Sequence, residues 1–465
     1  MATATPTPLS ALSTDLPPVE RRATIPGGFV ATGGVAGIKA SGRPDLALIA
    51  TVVGADGGRA PAAAAAVFTP NAFAAAPVRL SKAHLAATEP SGNGGFGWAT
   101  GIISTSGCAN AATGAAGDAD QAEVASIVAD ALATPDDRIL LLSTGIIGTR
   151  LPLDIVRAGV AAVAPTLAPS DDGLAAAAEA LRTTDSLVKA ATTTISLPDP
   201  DGHSMRSVRV TGIAKGVGMI HPRMATMLSI ILTDATVDPA TLHGLLRPAA
   251  ARTWNQLSVD GDTSTNDTVF VLASGAAEAA PVAAGTHDAA ELGRAIEAVA
   301  RDLARQQAAD GEGATTLITC QVSGAVDDAD ARAVARAVIC SSLVKAAVHG
   351  RDPNWGRIAG AAGNAHLADE AVLVAAGLTA SAARSRAGTA AELDPDRLRI
   401  AIAGHLVFDG PTGGPVAFDR AAARAAMNAP ELLVRLDLGL GDGQGEAFGC
   451  DLTETYVIEN SEYTT

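Results

Sequence analysis

Short apolar runs bounded by glycine or proline are the strongest constraint on what this chain can fold into. LALIATVV (46 to 53), AAAVFT (64 to 69), GIIST (101 to 105) and RILLLSTG (138 to 145) read as strands. Between and after them come stretches whose apolar residues recur at helical spacing: DQAEVASIVADALA (120 to 133), LDIVRAGVAAVA (153 to 164) and GLAAAAEALRT (173 to 183). A chain that alternates these two periods is an α/β protein.

The alternation continues after the turn PDPDGHS near Pro198. Strand-like MRSVRVTGIAKG and TMLSIILTDATV flank a loop, and a helix is expected from about Pro239 to Trp254. Further helices are expected at 288 to 307 and 327 to 347, and strands at 314 to 323, 398 to 408 and 431 to 438. Residues 1 to 24 are rich in Pro, Thr and Ser and lack periodicity, so they read as a flexible leader. The AAAAA run at 62 to 66 reads as a compositional feature.

Several function classes are disfavoured at once. The 465 residues carry 33 Lys+Arg against 49 Asp+Glu, a net charge of −16 that repels phosphate backbones and argues against nucleic-acid binding. No apolar stretch approaches the roughly 18–20 residues of a membrane span. The N-terminus has Pro and acid where a signal peptide needs a basic region and an apolar core, so a cytoplasmic location is expected. Cys108, Cys320, Cys340 and Cys450 form no CxxC pair, and the eight histidines lack metal-ligand spacing; no metal is expected.

GNGGFG (92 to 97) formally matches GxGxxG, but it leads into strand-like WATGIIST rather than opening a helix, which removes the context a dinucleotide needs. P-loop, HExxH and GxSxG patterns are missing from the sequence.

The informative segment is KGVGMIHPRMATML (215 to 228). Gly216, Gly218 and Pro222 oppose regular structure there, and an apolar strand follows. From the pattern alone this is a loop entering a core strand. The segment also resembles the self-cleavage motif of the ornithine acetyltransferase family. Further matches run along the chain: GVAGIKASGRPDLALI (34 to 49), AVFTPNAFAAAPV (66 to 78), STGIIGTRLP (143 to 152), TTDSLVK (183 to 189) and SVDGDTSTNDTV (258 to 269). DGEGATTLI (310 to 318), SLVKAAVHGRDPNWGR (342 to 357), DLGLGDGQGEAFGCDLTETYV (437 to 457) and the terminal ENSEYTT complete the series.

The resemblance implies cleavage between Ala225 and Thr226, giving an α chain (25 to 225 after the leader) and a β chain (226 to 465), assembled as an α2β2 heterotetramer. Thr226 Oγ would attack the Ala225 carbonyl, and water would hydrolyse the resulting ester. The freed α-amine, with a reference pKa of about 7.7–8.0, then serves as base for its own hydroxyl. The implied reaction moves an acetyl group from N2-acetylornithine to glutamate through acetyl-Thr226. Thr144 and Gly145 are implied as oxyanion donors, and Thr183, Lys215, Thr226, Glu312, Asn460 and Thr465 as substrate contacts. Lys215 suits an α-carboxylate, and Glu312 with the Thr465 carboxylate suits an ammonium. The implied fold is a set of β-sheets sandwiched between helices, N-terminal-nucleophile-like, with a smaller α/β lobe from about 325 to 465. No cofactor is implied, although some members accept acetyl-CoA as a co-substrate.

One departure stands out. TSGCAN (105 to 110) carries Thr105 and Cys108 where the family pattern has asparagines, and Cys is a poor hydrogen-bonding substitute, so rate or substrate preference could differ. Two enzyme alternatives remain, an N-terminal-threonine aminopeptidase or amidase and an acyltransferase of a secondary-metabolite pathway. An uncleaved binding protein is the non-enzymatic one; it needs a damaged motif, and 215 to 228 looks intact.

Overall fold

The computed structural model describes residues 9–12, 15–221 and 227–461. Among them the strands run, in chain order, β1 (Phe29–Gly34), β2 (Leu46–Thr51), β3 (Ala62–Phe68), β4 (Phe96–Ala99), β5 (Gly101–Cys108) and β6 (Ile139–Ile146). Next come β7 (Lys189–Pro198), β8 (Met205–Lys215), β9 (Leu228–Thr233), β10 (Leu257–Ser258) and β11 (Thr268–Ala273). The chain closes with β12 (Leu317–Ala325), β13 (Arg399–Ile402), β14 (His405–Asp409), β15 (Gly414–Pro415), β16 (Glu431–Asp437) and β17 (Gly443–Cys450).

These strands build three sheets, ordered β1-β2-β5-β6, β4-β3-β11-β9-β8-β7 and β10-β17-β12-β16-β13-β14-β15. The apolar runs are strands because both of their faces are covered. In β2, Leu46, Leu48 and Ala50 join one core cluster with Val124, Val128 and Val156 of the helices Gly114–Leu132 and Leu153–Val163. Ala47 and Ile49 point the other way, into a core shared with Ala64, Ile230 and Phe270 of the second sheet and with Val78 and Leu174 of the helices Ala76–Thr88 and Asp171–Leu181. The period of two also sorts β3: Ala63, Ala65 and Val67 face Leu242, Leu246 and Val299 of the helices Pro239–Arg252 and His287–Ala309. The molecule is thus α/β, its sheets held between helices. The third sheet has its own core with Val334, Val338 and Ile358.

Where structure and expectation differ, local chemistry gives the reason. The expected helix 327 to 347 breaks into Asp328–Cys340 and Ser342–His349, because Ser341 caps the second by accepting from Val344 N at 3.3 Å. The expected strand 398 to 408 is the β13–β14 hairpin, reversed at Ala403 and Gly404, both with positive φ. The alanine run belongs to β3, where small side chains are buried on both faces. Over its described part the leader is bonded to the fold: Glu20 pairs with Thr192, and the Pro18 carbonyl accepts from Thr193 Oγ. GNGGFG turns through left-handed Asn93 and Gly94 into β4, not into a helix. No helix among the described residues is long and apolar enough to cross a membrane.

Candidate active site

β8 and β9 are antiparallel neighbours, and their last pair is Lys215 with Leu228. The motif 215 to 228 is therefore the connection between two adjacent strands, opening where the second sheet meets the first. Ala225 and Thr226 fall outside the described residues, as does Thr465. The approach to them is well held. Gly216 N donates to Asp185 Oδ1 at 2.8 Å, and Gln307 Nε2 donates to the Lys215 carbonyl at 2.8 Å. Ile220 N donates to Asp260 Oδ1 at 2.9 Å, and Thr263 Oγ to the His221 carbonyl at 2.9 Å.

A cavity of about 280 Å³ opens beside this connection. Its walls include Thr144, Gly145, Thr183, Lys215, Glu312 and Asn460, so the six described residues singled out from the sequence lie around one hollow, although they are spread over more than 300 positions. Thr144 and Gly145 lie just before the end of β6, where the register against β5 shifts at Gly107 and Cys108. Gly145 has φ +131°, and a β-carbon there would lie 2.3 Å from the Gly107 carbonyl carbon, so only glycine fits. Lys215 Nζ donates to Thr144 Oγ at 3.0 Å.

Glu312 brings an acidic group to the same cavity, its N–H donating to the Val217 carbonyl at 2.8 Å. Glu312 follows the long helix His287–Ala309 and accepts from Thr184 Oγ and from Asn460 Nδ2, both at 2.9 Å. Asn460 rides on the terminal helix Glu454–Ser461, which is anchored where Thr453 Oγ donates to the Gly313 carbonyl at 2.7 Å. Thr183 N donates to Asp185 Oδ2 at 3.1 Å. Ile146, Ile147 and Met219 supply an apolar rim.

Burial dominates the electrostatics. It pulls the Lys215 ammonium below its usual range, against the attraction of Asp185, Asp267 and Glu312. Burial pushes Asp267 well above the carboxylate range. A small hollow of about 30 Å³, lined by Thr144, Lys215, Asn266, Asp267 and Met227, continues towards the start of β9.

Sequence reasoning passed over Asn266, Asp267 and Asp185. Asn266 is buried and its Nδ2 donates to the carbonyls of Ala109 at 2.6 Å and Ser143 at 2.8 Å, fixing the turn that presents Thr144. Its signal was the STND stretch inside a matched segment, from which no residue was singled out. Thr105 and Cys108 do not line the cavity: Thr105 Oγ bonds Ser143 Oγ at 2.9 Å, and Cys108 Sγ donates to the Thr149 carbonyl at 3.1 Å. Among the described residues no group of three His, Cys, Asp or Glu is placed to hold a metal ion.

The sequence profile of the ArgJ family matches residues 30–465. The chain belongs to the ArgJ family. An ArgJ protein of Synechococcus, described as an arginine biosynthesis bifunctional protein, is 43% identical over 451 residues, covering 95% of this chain and 97% of its own. The ArgJ protein of Deinococcus radiodurans, described in the same words, is 40% identical over 443 residues, with 95% and 98% covered. Among solved structures, ArgJ of Bacillus halodurans is 38% identical over 51% of this chain and 99% of that one, with a TM-score of 0.44. The ornithine acetyltransferase of Mycobacterium tuberculosis, solved with ornithine, is 37% identical over 45% and 99%, with a TM-score of 0.37.

Proposed function

We propose that this chain is an arginine-biosynthesis acetyltransferase that moves the acetyl group of N2-acetylornithine to glutamate through an acetyl-Thr226 intermediate. The observation that carries this reading is the presence of opposite charges in one cavity, which both Lys215 and Glu312 line. An amino acid offers a carboxylate to the first and, as ornithine, an ammonium to the second. Family membership and the names of the relatives agree with it.

The chemistry follows from the nucleophile. Thr226 precedes Met227, which lines the floor of the hollow beside Lys215 and Thr144. Its hydroxyl attacks the Ala225 carbonyl, the acyl group shifts from N to O, and water releases the α chain, residues up to 225, from the β chain, 226 to 465. The new α-amine takes the hydroxyl proton in each later attack. Attack on the acetamide forms a tetrahedral oxyanion that Thr144 Oγ–H and Gly145 N–H stabilise; collapse expels ornithine, and glutamate takes the acetyl group by the reverse steps. The Lys215 hydrogen bond to Thr144 Oγ supports this role, since an ammonium donating to that oxygen leaves its proton free to point at the oxyanion. The proposal extends to an α2β2 assembly in the cytoplasm, needing no cofactor, with the Thr465 carboxylate joining Glu312 and acetyl-CoA as the second donor of a bifunctional enzyme.

Intact mass under denaturing conditions tests it. Two fragments beginning at Met1 and Thr226 are expected from the wild type, and one full-length chain from Thr226→Ala. Ornithine release from N-acetylornithine should depend on glutamate. An uncleaved wild type, or release indifferent to glutamate, refutes the transferase reading.

A further inference from the structure

Three segments that are distant in sequence contribute to the cavity lining: Thr183 and Thr184, Lys215 to Gly218, and Glu312. One buried side chain ties the first two together. Asp185 is 1% exposed; its Oδ1 accepts from Gly216 N at 2.8 Å and from Lys189 Nζ at 2.7 Å, and its Oδ2 accepts from Thr183 N at 3.1 Å. Lys189, also 1% exposed, extends the link by donating to Asp310 Oδ2 at 2.6 Å, two residues before Glu312. Asp310 accepts in addition from Ser186 N at 3.0 Å. The backbones of Thr183 and of the residue after Lys215 thus share one carboxylate, whose charge is balanced from within by Lys189.

We propose that Asp185 is a positioning residue of the transfer site: its carboxylate fixes Thr183 and Lys215 relative to each other and holds Lys215 in the ammonium form. This rests on Thr183 and Lys215 being the substrate-binding groups proposed above. The carboxylate is itself secured as an anion. Burial favours its neutral form, but Lys189 and Lys215 outweigh that and lower its pKa to about 2. Lys215 faces charged groups from several elements: Asp185 and Lys189 at the start of β7, Asp267 before β11, Glu312 after the long helix and Lys39 in the loop before β2. Asp185 is the strongest of its attractive partners. Removing that charge leaves burial and the two lysines free to discharge Lys215 at a lower pH.

Asp185→Asn keeps the shape and an acceptor oxygen while deleting the charge. Asp185→Asn with Lys189→Met deletes both buried charges together and guards against a fold failure caused by a buried Lys189 left with Asp310 as its sole carboxylate partner. Each full-length variant is treated with formaldehyde and borohydride across a pH series, and Lys215 modification is followed by peptide mass spectrometry. The midpoint for Lys215 is expected about one pH unit below wild type in the single variant, and lower by a smaller amount in the double. The alkaline limb of kcat/KM for acetyl transfer is expected to move the same way. An unshifted Lys215 midpoint in the folded variants overturns the proposal, and so does failure of both variants to fold, which would assign Asp185 to the fold alone. The labelling does not depend on catalysis, so a wild type without transferase activity sinks the proposed function while leaving the labelling result decisive for Asp185.

Discussion

The α-carbon of Gly218 faces the Glu312 carboxylate so closely that a β-carbon at position 218 would sit 2.1 Å from Oε2. The second glycine of KGVGM therefore makes room for a side chain 94 positions away rather than serving its own backbone. Gly218→Ala should push Glu312 away from Thr184 and Asn460 while the sheets stay intact. A rise of about tenfold in KM for N-acetylornithine, or ~1.4 kcal/mol, is expected, with an unchanged far-UV spectrum. A wild-type KM would show that the Glu312 carboxylate does not meet the substrate.

Asn460 approaches the same carboxylate from the far end of the chain. Deleting residues 460 to 465 leaves the Thr453 anchor in place, so the fold should survive. The expected result is a KM raised by roughly tenfold or more, equivalent to ~1.4 kcal/mol, with kcat less affected. Unchanged kinetics would remove the tail from the site.

Asn266 acts on the turn rather than on the substrate. Asn266→Ala removes the side-chain donor to the Ala109 and Ser143 carbonyls in a buried place, at a cost of about 1–3 kcal/mol for each group left unpaired. Urea denaturation should show the loss. kcat should fall more than KM rises, because Thr144 follows Ser143 directly and is proposed to meet the oxyanion. A variant with wild-type stability and kcat contradicts both points.

His243 gives a pH prediction outside the site. It packs on Phe96 with ring centroids 5.5 Å apart, and burial with Arg247 nearby lowers its pKa from 6.5 to about 4. A depressed histidine is neutral in the folded state while the unfolded chain takes up a proton below pH 6.5. Its contribution is therefore full above pH 6.5 and is lost as pH falls towards 4, by on the order of 3 kcal/mol at most. His243→Leu should flatten stability against pH across that window, measured by denaturant midpoints at pH 7 and pH 4.5. An equal drop in wild type and variant would assign the acid sensitivity to other groups.

Much of this was legible in the sequence because burial on both faces of β2, β3 and β6 writes itself as continuous apolar runs. Thr144, Gly145, Thr183, Lys215, Glu312 and Asn460 were found through matched motifs and converge in space. Asp185 and Asn266 were not, because their work is to hold backbone groups that become neighbours only after folding; an aspartate beside TT and an asparagine beside ST look like ordinary turn formers. The Ala76–Thr88 helix was missed because its buried face, Ala76, Pro77, Val78, Ser81 and Leu85, includes a proline and a serine and carries few large apolar side chains. The β17 strand, GQGEAFGC, is rich in glycine because Gly443 and Gly445 lie against the helix Asp328–Cys340 and its cap, where a β-carbon would strike backbone atoms.

The second sheet interleaves strands from both sides of the β8–β9 connection: β3, β4, β7 and β8 come before it, β9 and β11 after it. A chain opened in that connection remains laced together by its hydrogen-bond ladders, and its two pieces cannot drift apart while the sheet persists. Melting changes this. Before the cut, unfolding and refolding are first-order events of one molecule; after it, each melted molecule yields two independent polymers that must find each other again, so recovery depends on dilution. Maturation by such a cut would turn a reversible fold into one whose assembly history cannot be repeated at low concentration.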